Sequence, residues 1–299
     1  MARFNVASLT PLAMLSIVLL LLAPTHASAA EPTVHRDLPY AKHADAAKNS
    51  TSLDLYVPPD AKSAPIVVWI HGGGWRHGDK RMVALKPAYF CDQGMILASI
   101  NYRLQPATDY RGQAADVAAA IRWLVDHAAE YGGDPQRIIL LGHSAGAHLA
   151  ALVATDHSYL EAAKIDPKVL RGVILLDGAG YNVPRQIKEA MLPALKKLYR
   201  DAFGDDPEVW QAASPLHHVE EGGTYPPVLI LYVASRRDSS SQSVALSDRL
   251  RAVGGESEAI GYADKTHATI NREFGAAEDE PTVAAQKFLN RVLTISPAP

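Results

Sequence analysis

Short apolar runs alternate with amphipathic stretches along most of the chain. Residues 66–70 are apolar at every position and stop at a histidine and three glycines, a pattern typical of a strand buried on both faces. Residues 111–131 carry apolar side chains at helical spacing and are followed by Gly132-Gly133, which predicts an amphipathic helix. By the same criteria we predict further strands at 53–57, 95–100, 137–141, 173–176, 228–233 and 258–262, and further helices at 145–154, 243–253 and 281–292. This alternation predicts an α/β fold, in which helices cover both faces of a mostly parallel central sheet.

One segment, residues 181–225, breaks this alternation. It contains a predicted helix at 186–203 and then a polar, proline-containing stretch at 204–225. Because it lies between two predicted core strands, it stands where a fold of this class can carry a lid over its active site. We therefore predict one α/β domain at 30–299 with a small cap insertion at 181–225, rather than two domains.

The N-terminal segment has the features of an export signal. Arg3 provides a positive charge, residues 13–23 form an unbroken apolar run, and Ala27-Ser28-Ala29 offers the small residues that a signal peptidase requires. The alternative is a membrane anchor, but a run that spans a bilayer needs roughly 20 apolar residues. We predict a signal peptide at 1–29, and hence a periplasmic or extracellular protein that has no stable membrane anchor after cleavage.

Composition and charge exclude several classes of function. The 299 residues are 48% hydrophobic and 20% charged, as in ordinary globular proteins, and the formal net charge of -3 lacks the basic footprint of a nucleic-acid-binding protein. The single cysteine, Cys91, excludes an intrachain disulfide and a thiolate metal cluster. Because the histidines are scattered and no HExxH pattern occurs, we expect no metal and no cofactor. The oligomeric state is left open by these observations.

The strongest chemical signal is the pentapeptide Gly142-His143-Ser144-Ala145-Gly146, which lies between a predicted strand and a predicted helix. A serine on a sharp strand-to-helix turn is lifted above the sheet, and only small flanking residues let the backbone pass so closely. The new helix also directs its free N–H groups at the reacting centre. The alternative is a Gly/Ser turn without function. We interpret Ser144 as a nucleophile.

A second glycine-rich segment, His71-Gly72-Gly73-Gly74-Trp75, follows the strand predicted at 66–70. Glycines let the main chain approach a substrate closely, and backbone N–H groups stabilise the negative charge that acyl transfer builds on a carbonyl oxygen. Phosphate binding is the alternative, but no P-loop lysine follows and no GxGxxG pattern occurs. We expect the N–H groups of Gly73, Gly74 and Ala145 to form the oxyanion hole, with that of Trp75 in reserve.

These two motifs together resemble the α/β-hydrolase superfamily, and more narrowly its esterase/lipase group with an HGGG loop. That group includes hormone-sensitive-lipase-like, kynurenine-formamidase-like and feruloyl-esterase-like carboxylesterases. The sequences Asn-Tyr-Arg-Leu at 101–104 and Gly-Gly-Asp-Pro at 132–135 match the same group, so the resemblance covers about residues 53–288. It implies an α/β-hydrolase fold and a catalytic triad in the chain order serine, acid, histidine.

The resemblance assigns the remaining triad members by their position in the chain. His267 lies after the last predicted strand and before the final helix, where the family carries its base. Asp238 follows the strand predicted at 228–233, as the family's acid does, although Ser235 stands where family members usually have glycine. Neighbouring arginines leave open that Asp238 forms a surface ion pair. Asp177, after the preceding strand, is the reserve acid.

The expected function is hydrolysis of carboxylic esters through an acyl-enzyme, with Ser144, Asp238 and His267 as the triad. The expected partner is a small-molecule ester, with short-chain or aromatic-acid esters favoured because no long hydrophobic lid is evident. One alternative is amide or formamide hydrolysis of the kynurenine-formamidase type. Another is a binding protein that has lost catalysis, although the serine, the histidine and the glycine loop are all present.

Overall fold

The computed structural model describes Met1 and residues 31–44 and 47–294, and within them eight strands form one sheet. The strands are β1 Thr33–Pro39, β2 Ser52–Val57, β3 Ala64–Ile70, β4 Ile96–Ile100, β5 Gly133–His143, β6 Leu170–Leu176, β7 Val228–Val233 and β8 Ser257–Tyr262. Their order in the sheet is β1-β2-β4-β3-β5-β6-β7-β8. β1 and β2 run antiparallel to their neighbours, and the strands from β4 to β8 run parallel. The predicted mostly parallel sheet is confirmed.

Helices cover both faces of the sheet and bury two separate apolar cores. The helices are α1 Lys86–Asp92, α2 Tyr110–His127, α3 Ala145–Thr155, α4 Ser158–Ala162, α5 Val183–Glu189, α6 Pro193–Phe203, α7 Pro207–Ala212, α8 Arg237–Ala252, α9 Thr269–Arg272 and α10 Glu280–Thr294. In β3, Val68 packs into the core that contains Leu149 of α3, whereas its neighbour Trp69 packs into the core that contains Phe288 of α10. Alternate side chains of one strand thus serve opposite faces, which explains why the strand is apolar at every position.

Several elements differ from the predictions, among them the short helices α1, α4, α7 and α9, which were not predicted. The helix predicted at 186–203 is two helices, α5 and α6, because Pro193 disfavours helical backbone at Leu192, which has φ −85° and ψ 126°. α8 begins at Arg237, six residues before the predicted start, and so takes Asp238 into its first turn. β1 was not predicted, because it is a mostly exposed edge strand whose pairing with β2 is irregular between His35 and Leu38.

The segment at 181–225 lies between β6 and β7 and contains α5, α6, α7 and a short 3-10 turn at Pro215–His218. We call it the cap segment. The predicted signal peptide at 1–29 lies, except for Met1, outside the described residues and stays a prediction. Within the ranges that the structure covers, none of the helices combines the length and apolar character needed to cross a bilayer.

The fold brings five loops to one edge of the sheet. The carboxyl ends of parallel strands meet at the same edge, where open α/β sheets bind their ligands. Here the loops after β3, β5, β6, β7 and β8 begin at or near this edge, and they carry His71, Ser144, Asp177, Arg236 and His267 respectively.

Candidate active site

Ser144 lies on a strained turn between β5 and α3. Its backbone has φ 55° and ψ −119°, a region that a residue with a side chain enters only when the surrounding structure enforces it. The backbone N–H of Ser144 donates to the carbonyl of Leu176 at 3.0 Å and holds the turn against β6. A Cβ on Gly142 would overlap the carbonyl of Gly146, and one on Gly146 would overlap that of Ile70. Both glycines are therefore required by close backbone approach.

His267 lies between Ser144 and a buried carboxylate. Its Nε2 is 3.1 Å from the Oγ of Ser144, and its Nδ1 is 2.6 Å from Oδ2 of Asp177. A carboxylate only accepts hydrogen bonds, so bonding to Asp177 requires the hydrogen on Nδ1. Nε2 is then free to accept the proton of the serine hydroxyl. The structure thus brings together the predicted nucleophile and the predicted base.

The carboxylate beside His267 is Asp177 and not the expected Asp238. Asp238 lies in the first turn of α8, where its Oδ2 accepts hydrogen bonds from Arg236 Nη2 at 3.2 Å and from Gln186 Nε2 at 3.4 Å. The expectation that Asp238 partners His267 is therefore wrong for this structure. The reason is the early start of α8, which leaves a short loop after β7, while the reserve residue Asp177 at the end of β6 reaches the imidazole.

Asp177 is held as a carboxylate by its surroundings. Burial alone would raise the pKa of this fully buried group, but hydrogen bonds from His267 and from the backbone N–H of Val233, together with the charge of Arg236, outweigh it. The result is a pKa of about 2 for Asp177. An acid of this kind stays ionised and can orient and stabilise a protonated imidazole during catalysis.

Arg236 joins the two aspartates and also contacts His267. Its Nη1 donates to Asp177 Oδ2 and lies 2.6 Å from His267 Nδ1, while its Nη2 donates to Asp238. Burial lowers the pKa of Arg236, but the charges of Asp177 and Asp238 outweigh this and raise it, so the side chain is cationic. The arginine pair at 236–237 is visible in the sequence, but beside Asp238 it indicates only a surface ion pair.

The loop at 71–75, which we call the oxyanion loop, lies directly against the nucleophile. A Cβ on Gly72 would stand 3.0 Å from the Cβ of Ser144. Gly73 and Gly74 have φ of 127° and 60°, conformations that favour glycine. In the described part of the chain, the backbone N–H groups of Gly73, Gly74 and Ala145 make no hydrogen bond. These donors, which we expected to form the oxyanion hole, are thus free for a ligand oxygen.

Two buried histidines that the sequence did not assign hold the site together. Nε2 of His143 lies 2.9 Å from the carbonyl oxygen of His267, and burial together with the charge of His267 lowers the pKa of His143 to about 3. His148 accepts from Trp75 Nε1 at 3.2 Å and donates to the carbonyl of Ala213 at 2.7 Å, and burial lowers its pKa to about 4. Both rings are therefore neutral. His143 fixes the loop of the base, and His148 ties α3 to the oxyanion loop and the cap segment.

The cap segment lies over the oxyanion loop. Leu198 of α6 is so close to Gly74 that a Cβ on this glycine would stand 3.0 Å from its Cδ1. An ion pair of 2.7 Å between Arg76 and Asp201 fastens the same helix to the chain that follows the loop. Among the described residues, no cluster of His, Cys, Asp or Glu is suited to hold a metal ion.

A serine on a strand-to-helix turn, a histidine after the last strand, a buried aspartate and free N–H donors beside the serine define an α/β-hydrolase. The model of the BD-FAE family matches residues 53–250, and the chain belongs to this family. The resemblance to the HGGG-type esterase/lipase group is thereby confirmed.

Known proteins similar to this chain are esterases. Esterase LipQ of Mycobacterium tuberculosis is 32% identical over 235 residues, which make up 72% of this chain and 53% of that protein. The structure of esterase 2 of Thermogutta terrifontis with butyrate bound is 25% identical with a TM-score of 0.68, covering 91% of this chain and 98% of that one. The fold is shared by an inhibited esterase B from Lactobacillus rhamnosis. This structure is 23% identical, has a TM-score of 0.73, and the match covers 88% of both chains. The chain spans about half the length of LipQ and of the plant methylesterases it matches.

Proposed function

We propose that this protein is a serine carboxylesterase. The observation that carries the proposal is the hydrogen-bonded series Asp177–His267–Ser144, with distances of 2.6 and 3.1 Å, beside the unbonded N–H groups of the oxyanion loop. A serine hydroxyl is a weak nucleophile at neutral pH, and this arrangement provides the base and the orienting acid that it needs. The similar proteins include esterases and a probable carboxylic ester hydrolase, which supports the same reaction class.

The geometry supports a two-step reaction. Ser144 Oγ attacks the ester carbonyl carbon while its proton moves to Nε2 of His267, and the carbonyl oxygen becomes an oxyanion facing the N–H groups of Gly73, Gly74 and Ala145. Collapse of this intermediate breaks the bond to the alcohol, which leaves with the proton from His267. Water then attacks the acyl-serine with His267 as base, and the acid is released as Oγ recovers its proton.

We infer that the substrates are small esters of short-chain or aromatic acids. Leu198 of α6 lies against Gly74, so the cap segment limits the space above the oxyanion loop. The similar esterase 2 of T. terrifontis has been observed with butyrate bound, which is an acid of this size. We also propose that the protein acts in the periplasm or outside the cell, because residues 1–29 have the features of an export signal.

The test is hydrolysis of p-nitrophenyl acetate, butyrate and decanoate, with an N-formyl anilide in the same panel. The proposal is supported if the short esters are hydrolysed and if this hydrolysis stops when a phosphonate forms an adduct on Ser144. The adduct is mapped by mass spectrometry. Ser144→Ala should lower kcat by at least about 10⁴-fold, whereas Ser158→Ala, at an exposed serine, should not. If neither turnover nor an adduct is observed, a binding protein is favoured instead. Faster hydrolysis of the anilide than of the esters would favour amide hydrolysis.

A further inference from the structure

The position of Arg236 points to a role in the catalytic site that the triad does not include. We propose that Arg236 is a positioning residue whose positive charge opposes the addition of a second proton to His267, and that Asp238 holds Arg236 in place for this purpose. The proposal rests on the esterase function proposed above. It concerns how the base is tuned and assigns no chemical step to Arg236.

Arg236 stands between two carboxylates at the edge of the site. Its side chain is 26% exposed, whereas that of Asp177 is fully buried and that of Asp238 is 28% exposed. One guanidinium nitrogen contacts Asp177 and the other contacts Asp238. A planar guanidinium has donors on both sides, so one arginine can bridge two carboxylates in this way and a lysine ammonium only partly. The side chain is therefore held from two sides rather than free in solvent.

Arg236 and Asp177 make opposite demands on Nδ1 of His267. Both lie 2.6 Å from this atom, but the guanidinium only donates and the carboxylate only accepts. With the hydrogen on Nδ1, the ring bonds to Asp177 and Nε2 can accept the proton of Ser144. With no hydrogen on Nδ1, this atom accepts a hydrogen bond from Arg236. Nε2 then carries the hydrogen and cannot act as the base.

The charge of Arg236 acts on the protonation of the imidazole. A cation beside a ring disfavours a second positive charge on it, whereas the carboxylate of Asp177 favours that charge. His267 also faces Ser144 and the neutral ring of His143, which lies 4.5 Å away between ring centroids. Further out, Lys86 acts on His143, Tyr199 of α6 interacts with Asp177, Arg236 and Asp238, and Asp238 bonds to Arg236. Among these, Arg236 is the cation in direct contact with the ring.

The experiment compares pH profiles of kcat/KM on p-nitrophenyl butyrate. In Arg236→Met the acid limb should move up by about 1–2 pH units. Arg236→Lys keeps the cation and should restore most of the wild-type limb. Arg237→Met is the matched control, because this neighbouring arginine is exposed, and its profile should not move. An unchanged acid limb with a uniformly lower plateau in Arg236→Met would mean a merely structural role and would overturn the proposal.

A second measurement does not depend on turnover. In protein labelled with ¹⁵N-histidine, the chemical shifts of the ring nitrogens report both the protonation and the tautomer of His267. The signals of this residue are identified by their loss in His267→Gln. The midpoint of this titration should rise by about 1–2 pH units in Arg236→Met and stay in place in Arg237→Met. If the protein hydrolyses no ester but this shift occurs, the proposed function fails and the role of Arg236 stands. If the midpoint does not move, the inference about Arg236 is refuted, whatever the activity.

Discussion

Replacing Asp177 by asparagine should remove most of the esterase activity, whereas the same change at Asp238 should leave it nearly intact. The structure places Oδ2 of Asp177 2.6 Å from Nδ1 of His267, while Asp238 bonds to Arg236 and Gln186. The two residues follow neighbouring strands and obey the same order in the chain. The pair of matched variants therefore asks directly which carboxylate orients the base.

The size of the effect follows from the hydrogen-bonding groups around Nδ1. In Asp177→Asn the side chain keeps its shape but loses its charge, and its amide NH₂ group can donate. Arg236 Nη1 already lies 2.6 Å from Nδ1 and can only donate. Nδ1 then becomes an acceptor and Nε2 carries the hydrogen, so the ring cannot take the proton of Ser144. The wrong tautomer costs about 10⁴ in kcat in a serine protease, or about 5 kcal/mol of transition-state stabilisation, and we expect a loss of that order here.

The assay is kcat and KM for p-nitrophenyl butyrate at pH 8, with thermal unfolding as the test of folding. In Asp238→Asn the amide oxygen can still accept from Arg236, so kcat should stay within about tenfold of the wild type. In Asp177→Asn, KM should change less than kcat, because the loss lies in the proton transfer. A loss of about 10³ or more in Asp238→Asn, together with a small loss in Asp177→Asn, would show that Asp238 orients the base during turnover and would refute this reasoning.

Three further predictions follow from the same contacts. The pKa of Asp177 lies at about 2, below its usual 3.8, so its ionised form adds about 2 kcal/mol to the free energy of unfolding above pH 4. This contribution is lost as the pH falls towards 2. In urea unfolding, the free energy of unfolding of Asp177→Asn should therefore fall less steeply with acid than that of the wild type, and equal falls would contradict this. His143→Leu removes the hydrogen bond to the carbonyl of His267 and should lower kcat/KM by about 10–100-fold, whereas His127→Leu, at a histidine whose side chain is 44% exposed, should not. Leu198→Ala should open the space beside Gly74 and raise the decanoate-to-acetate rate ratio, and an unchanged ratio would place the acyl chain elsewhere.

The sequence predicted the sheet and the position of Ser144 on a strand-to-helix turn because both have local causes. A parallel strand covered on both faces must be apolar at each position, and β3 and β7 show this pattern without interruption. The turn at Ser144 needs small residues at fixed offsets, so Gly142 and Gly146 identify it in the chain. Signals of this kind lie within a few residues of the feature that they predict.

The acid and the bracing histidines could not be predicted in the same way because their partners are distant. His143 bonds to a carbonyl 124 residues away, and His148 to one 65 residues away. No spacing in the sequence encodes these contacts. The choice between Asp177 and Asp238 depends on where α8 begins, and a polar first turn such as that of α8 carries no apolar periodicity to show the start.

The position of the acid can vary because the ends of β6 and β7 are neighbours in the sheet. The backbone N–H of Asp177 donates to the carbonyl of Leu231 at 2.7 Å, and its Oδ1 accepts from the N–H of Val233 at 3.1 Å. A carboxylate at either strand end is thus close to the loop of His267, and the chain order serine, acid, histidine is satisfied by both. With the acid on β6, the loop after β7 is free to carry Arg236, whose charge compensates the buried carboxylate that the base requires. Asp177 and Arg236 are therefore best understood as one unit, in which the acid orients the imidazole and the arginine limits how readily the imidazole is protonated.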